Sequence, residues 1–136
     1  MSTRKPSTSK NAAPLPAISD AEWVVMRQFW QREDATVAEI VAALDGQMPW
    51  KPRTVQSLIN RLVGKGALTF TKDGREYRYR PTVAEADCVL EASRTFVDRL
   101  FGGKLAPLLA CFVENGQVSA QEAAQLRKIL ENEKTP

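Results

Sequence analysis

The chain has 136 residues, 43% hydrophobic and 26% charged, with a formal net charge of +3, a make-up that fits one compact globular domain or two small modules sharing a core. It contains no histidine and two cysteines, Cys88 and Cys111. A four-ligand zinc site would therefore have to be built mostly from carboxylates, and no imidazole is available as a general base. No metal, cofactor or enzymatic activity is expected. No apolar run approaches the ~18 residues that span a bilayer, and no signal-peptide pattern opens the chain. The expectation is a cytoplasmic protein without a membrane partner, its thiols kept reduced.

Charge is unevenly placed. Residues 1–82 carry 13 Lys/Arg against 8 Asp/Glu, whereas residues 83–136 carry 6 against 8. The window 48–80 holds Lys51, Arg53, Arg61, Lys65, Lys72, Arg75, Arg78 and Arg80 against only Asp73 and Glu76. A local basic field on a nearly neutral chain suits a polyanion, although a plain solvated surface would carry Lys and Arg too.

In chain order, residues 1–17 read as a disordered basic arm carrying Arg4, Lys5 and Lys10. Ser19–Glu22, Thr36–Glu39 and Ser119–Glu122 are three capping boxes, each predicting a helix start. The first helix is expected over Asp20–Gln31, with Trp23, Met26, Phe29 and Trp30 on its apolar face and Ile18 stapled against Trp23. The second spans Val37–Leu44, with Ile40, Val41 and Leu44 inward, and stops at Asp45-Gly46. A third starts near Pro52, whose missing N–H costs nothing in a first turn, and ends at Gly66.

That third helix is the most informative segment. Val55, Leu58, Ile59, Leu62 and Val63 form one apolar stripe. Arg53, Ser57, Asn60 and Gly64 project opposite, flanked by Thr54, Gln56 and Arg61, and no carboxylate lies among them. A solvated face usually mixes Glu with Lys, whereas this one offers donors for phosphates and base edges. A hairpin is then expected from Ala67–Lys72 and Arg75–Arg80 around Asp73-Gly74, with Phe70 opposite Tyr77, Leu68 opposite Tyr79, and Lys72 and Arg75 beside the tip.

Three helices followed by a basic hairpin are the order of a winged helix-turn-helix, whose third helix enters a major groove. Beyond Thr82, apolar stripes mark three more helices, carrying Val89, Phe96 and Leu100, then Leu105, Leu109 and Phe112, then Leu126, Ile129 and Leu130. So short a region buries three such faces poorly by itself, and self-association solves that problem; a second core within the chain is the alternative. The fold class is mainly α with a small β-hairpin wing. Its parts are the arm (1–17), a winged-helix DNA-binding domain (18–82) and a helical dimerisation region (83–134).

The stretches Ile18–Met26 and Trp50–Gly66, continuing through Arg75–Tyr79 and Phe112-Val113-Glu114, resemble the penicillinase-repressor family of the BlaI/MecI type. The resemblance implies a dimeric repressor that occupies a pseudo-palindromic stretch of double-stranded operator DNA. In that arrangement Arg53, Thr54, Gln56 and Ser57 read or position on bases, and Lys51, Asn60, Arg61, Lys65, Lys72 and Arg75 hold phosphates. It also implies induction by a regulatory protease that cuts an Asn-Phe bond in the dimer module. Cys111 stands where that Asn is expected, so cleavage at Cys111–Phe112 stays open. The alternatives are a non-specific architectural DNA binder and a thiol-responsive regulator acting through Cys111 or Cys88.

Overall fold

The computed structural model describes residues 15–132, so most of the expected basic arm lies outside the described residues. The elements are α1 (Asp20–Arg32), α2 (Val37–Leu44), α3 (Pro52–Gly64), β1 (Leu68–Asp73), β2 (Glu76–Pro81), α4 (Glu85–Phe101), α5 (Leu105–Glu114) and α6 (Ala120–Asn132). Two compact units divide the chain, one up to Ala92 and the other from Ser93. Among the described residues no helix is long and apolar enough to cross a membrane.

Helix starts follow the local chemistry. At α1 the Ser19 hydroxyl accepts from the Glu22 N–H, and the Glu22 carboxylate accepts from the Ser19 N–H. Thr36 and Glu39 do the same for α2. At α6 only half of the expected box forms: Ser119 Oγ accepts from the Glu122 N–H at 3.0 Å, with no return bond. Helix α3 has no capping side chain and begins on Pro52 at its first turn. It ends in a Schellman arrangement, with the Gly66 N–H on Val63 O and the Ala67 N–H on Leu62 O. Gly66 has φ +84°, a value that a side-chain-bearing residue reaches only with strain.

The core of the first unit gathers one stripe from each element. Val25, Met26 and Phe29 from α1 meet Ile40 and Leu44 from α2, with Val55, Leu58, Ile59 and Leu62 from α3, and Leu68 and Tyr79 from the hairpin. Trp23 and Trp30 of the expected α1 face are only partly buried, and Val25 takes a fully buried place instead. The exit from this unit is tied down as well. Trp30 Nε1 donates to Val83 O at 3.0 Å, the Thr82 hydroxyl donates to Gly66 O, and Cys88 in α4 is buried.

The hairpin departs from the expected register by two residues. Asp73 pairs with Glu76, Lys72 with Tyr77, Thr71 with Arg78 and Phe70 with Tyr79, which makes Gly74-Arg75 the two-residue turn. Gly74 has φ +68° and no other turn residue has positive φ. That matches a turn with glycine first, as in type II′, rather than the Asp73-Gly74 turn that the dipeptide signals. A shift of two preserves the faces, so Phe70 still stacks on Tyr77 with centroids 5.1 Å apart, now across a diagonal. Ala35 adds a short third pairing by exchanging two backbone hydrogen bonds with Tyr79.

The second unit is built differently. No side chain in Ser93–Asn132 is fully buried within one chain. Leu100, Leu105, Val113, Ile129 and Leu130 are all more than half exposed, Leu130 at 64%.

Phe29 is fully buried and its ring lies 6.4 Å from that of Tyr79. Phe29→Ala should therefore cost about 3–5 kcal/mol in urea denaturation. A loss below ~1 kcal/mol would place this ring outside the core.

Candidate nucleic-acid interface

The burial of one side of α3 leaves the other side in solvent. Lys51, Arg53, Thr54, Ser57, Asn60 and Arg61 are all exposed. Gln56 is half-buried, and its amide donates to Asn60 Oδ1 at 3.0 Å, a link that holds both side chains along the helix surface. With no acidic residue between Lys51 and Lys65, this side presents donors and positive charge without a competing anion.

An open groove joins this surface to the hairpin. It is lined by Thr36 and Val37 at the start of α2, Gln56 of α3, and Lys72, Arg75 and Tyr77 of the hairpin. The Lys72 ammonium lies 6.0 Å from the centroid of the Tyr77 ring, and Arg75 occupies the turn itself. Of the expected site residues, Gln56, Lys72 and Arg75 line this groove, together with the carboxylate-bearing Glu76, while Lys51, Arg53, Thr54, Ser57, Asn60 and Arg61 lie exposed outside it.

Not every cation of the basic window faces outward. Lys65 Nζ lies 2.5 Å from Glu22 Oε1 and 2.7 Å from Ala17 O. Its ammonium, expected to contact phosphate, is thus also engaged by a buried carboxylate. Arg61 Nη1 sits 4.0 Å from Glu22 Oε2, with its side chain mostly in solvent. Arg78 is engaged by Asp34 and Glu39. Lys51, Arg53, Lys72, Arg75 and Arg80 have no carboxylate within ion-pair distance among the described residues.

Glu22 is the polar residue that the sequence reading undervalued. It is 1% exposed, caps α1, and pins the end of α3 through Lys65. Burial pushes its carboxyl up, but the Lys65 ammonium and the Ser19 N–H and hydroxyl outweigh that and hold it below the usual glutamate range. The capping-box spacing revealed its local partner, whereas Lys65 lies 43 positions away. Among the thiols, burial pushes Cys88 up to about 11, so it stays protonated, while Cys111 is exposed. No cluster of metal ligands occurs among the described residues.

A three-helix core, a β-hairpin wing, and an acid-free exposed helix beside the wing's cations together define a winged-helix DNA-binding protein. Comparison with known proteins narrows the class. A family model described as penicillinase repressor matches residues 18–132. The chain is 37% identical over 120 residues to the penicillinase repressor of Bacillus licheniformis, covering 88% of this chain and 94% of that one. It is 34% identical over 113 residues to the methicillin resistance regulatory protein MecI of Mammaliicoccus sciuri, covering 83% and 92%. The solved DNA-binding domain of the repressor BlaI superposes with a TM-score of 0.50 at 37% identity, over 56% of this chain and 93% of that one. A MarR mutant from E. coli shares the fold at 19% identity, with a TM-score of 0.51 over 85% of this chain and 76% of that one. The chain belongs to the penicillinase repressor family. It is a DNA-binding repressor and not an enzyme.

Because the folded Glu22 carboxyl sits below its unfolded value, its contribution is fully present above the ordinary glutamate range and is lost as pH falls through the depressed value. Glu22→Gln should lower stability at neutral pH by about 1–3 kcal/mol and flatten the acid limb of the stability profile measured by urea denaturation. An acid limb as steep as wild type would show that the linked proton belongs elsewhere.

Proposed function

We propose that this chain represses transcription in the cytoplasm as a homodimer bound to a pseudo-palindromic operator. Each protomer lays α3 in a major groove and sets the β1–β2 hairpin along the neighbouring backbone. The observation that carries this reading is the exposed side of α3, which lacks carboxylates and, through Gln56, borders the groove that Lys72 and Arg75 line. Arg53, Thr54, Gln56 and Ser57 meet base edges. Lys51, Asn60, Arg61, Lys72 and Arg75 meet phosphates, and Lys65 holds α3 in place through Glu22.

Pairing rests on the second unit, whose apolar side chains find no full cover within one chain. Joining two half-site readers raises affinity by ~10²–10⁴ through effective concentration alone. Whatever loosens Ser93–Asn132 then releases the operator. Cleavage by a regulatory protease at Cys111–Phe112 is one such route. Both residues are exposed but helical in α5, and Cys111 O accepts hydrogen bonds from both Asn115 nitrogens. Cutting there requires that turn to unwind first.

Two measurements on the full chain test the reading. Selection from a random duplex pool should enrich a two-fold sequence, and Arg53→Ala should weaken binding to it by roughly 5–150-fold while relaxing one position of each half-site. Equal affinity for selected and random duplexes would instead indicate an architectural binder. The paired substitution Leu100→Gln with Leu130→Gln should shift sedimentation to the monomer and cut affinity by ~10²-fold or more. A monomeric variant with full affinity would refute the role of pairing.

A further inference from the structure

Arg78 lies in the basic stretch that suits a polyanion, yet its guanidinium turns to carboxylates. Its Nη2 lies 2.8 Å from Asp34 Oδ1 and 3.4 Å from Glu39 Oε1, and its Nε lies 3.2 Å from the same Asp34 oxygen. Asp34 sits at the corner between α1 and α2. Glu39 belongs to the first turn of α2, where the same Oε1 accepts the Thr36 N–H. Beside this cluster Ala35 and Tyr79 exchange hydrogen bonds of 3.0 and 2.8 Å. The base of β2 is thereby fastened to the helical corner by two backbone bonds and a charged fork.

Fastening matters because an isolated two-stranded hairpin is marginal and has no fixed direction of its own. Residues beyond Arg78 toward the tip, including Arg75, reach into the groove shared with α2 and α3. Besides Leu68 and Tyr79 in the core, the contacts at Arg78 tie down the strands from which that tip extends.

We propose that Arg78 is a positioning residue, clasped by Asp34 and Glu39, that aims the β1–β2 hairpin at the DNA backbone and does not itself bind phosphate. The proposal rests on the reading that the hairpin touches DNA. Charge supports it. Asp34 and Glu39 are each about half exposed, at 53% and 50%, on either side of the Thr36 that lines the groove. Two unpaired carboxylates at that rim would repel a phosphate backbone. Were Arg78 to swing out to a phosphate, it would leave both of them facing the duplex. Ion pairs this exposed add little to folding stability, so the fold alone does not account for the arrangement.

The two roles give opposite signs for one substitution. With the full chain and a fluorescein-labelled duplex selected from a random pool, anisotropy at fixed salt measures affinity. Under the clasp, Asp34→Asn weakens binding by roughly 3–10-fold, Arg78→Ala does the same, and the double variant is no worse than either, as expected for residues acting as a unit. Glu39→Gln, which keeps an acceptor for the Thr36 N–H, gives a smaller loss in the same direction. If Arg78 bound phosphate, Asp34→Asn would free its guanidinium and remove an anion. Binding would then tighten and the double variant would be additive; either result overturns the proposal. Circular dichroism melts should change little, because a purely structural role would appear there first. The underlying reading is checked separately with Lys72→Ala combined with Arg75→Ala. No loss in that variant removes the hairpin from the interface altogether. A loss there, with none in Asp34→Asn, removes only the clasp.

Discussion

Burial of Val55, Leu58, Ile59 and Leu62 fixes the roll of α3 about its own axis, and that roll decides which residues meet solvent. With about 100° between successive residues, a turn by one position would exchange an apolar side chain for Gln56 or Asn60 inside the core. Burying an amide without partners costs about 1–3 kcal/mol, besides exposing the aliphatic group displaced. The donor-rich side is therefore held outward by the grease behind it. Axial position is fixed separately, by Pro52 where the helix begins and by the Glu22–Lys65 pair where it ends. Orientation and register of the interface are properties of the core.

The same economy governs charge. The window 48–80 is rich in Lys and Arg, but two of those side chains are engaged by carboxylates from far along the chain, Lys65 by Glu22 and Arg78 by Asp34 and Glu39, while Arg61 reaches Glu22 only at 4.0 Å and stays mostly in solvent. Among the described residues, Lys51 and Arg53 at the entrance of α3 and Lys72, Arg75 and Arg80 on the hairpin have no carboxylate within ion-pair distance. The electrostatic surface is narrower than the composition of the segment implies, and it lies where a helix and a hairpin meet.

Much of this could be read from residues alone because the determining interactions are local. Two of three capping boxes close as their spacing predicts, α2 and the body of α3 fall where periodicity puts them, and the wing follows. Local reading failed where two local solutions compete or where the partner is remote. Asp73-Gly74 allows a turn centred on that dipeptide and one with Gly74 leading, and the second is found, which shifts each cross-strand partner by two. The return bond at Ser119 is absent although the residue types are present. Nothing near Lys65 or Arg78 in the chain announces Glu22 or Asp34. In the second unit the helices were legible, and Ile129 and Leu130 stay more than half exposed within one chain, in line with the poor self-cover expected of so short a region.

Those uncovered side chains also bear on quantity. On the pairing proposed above, operator occupancy depends on two equilibria in series, and the first follows mass action in the chain itself. When copies are scarce the assembled form falls off with nearly the square of the total, so halving the protein removes about three quarters of it. Growth and division, by diluting the pool, then relieve repression more sharply than the drop in copy number alone would do.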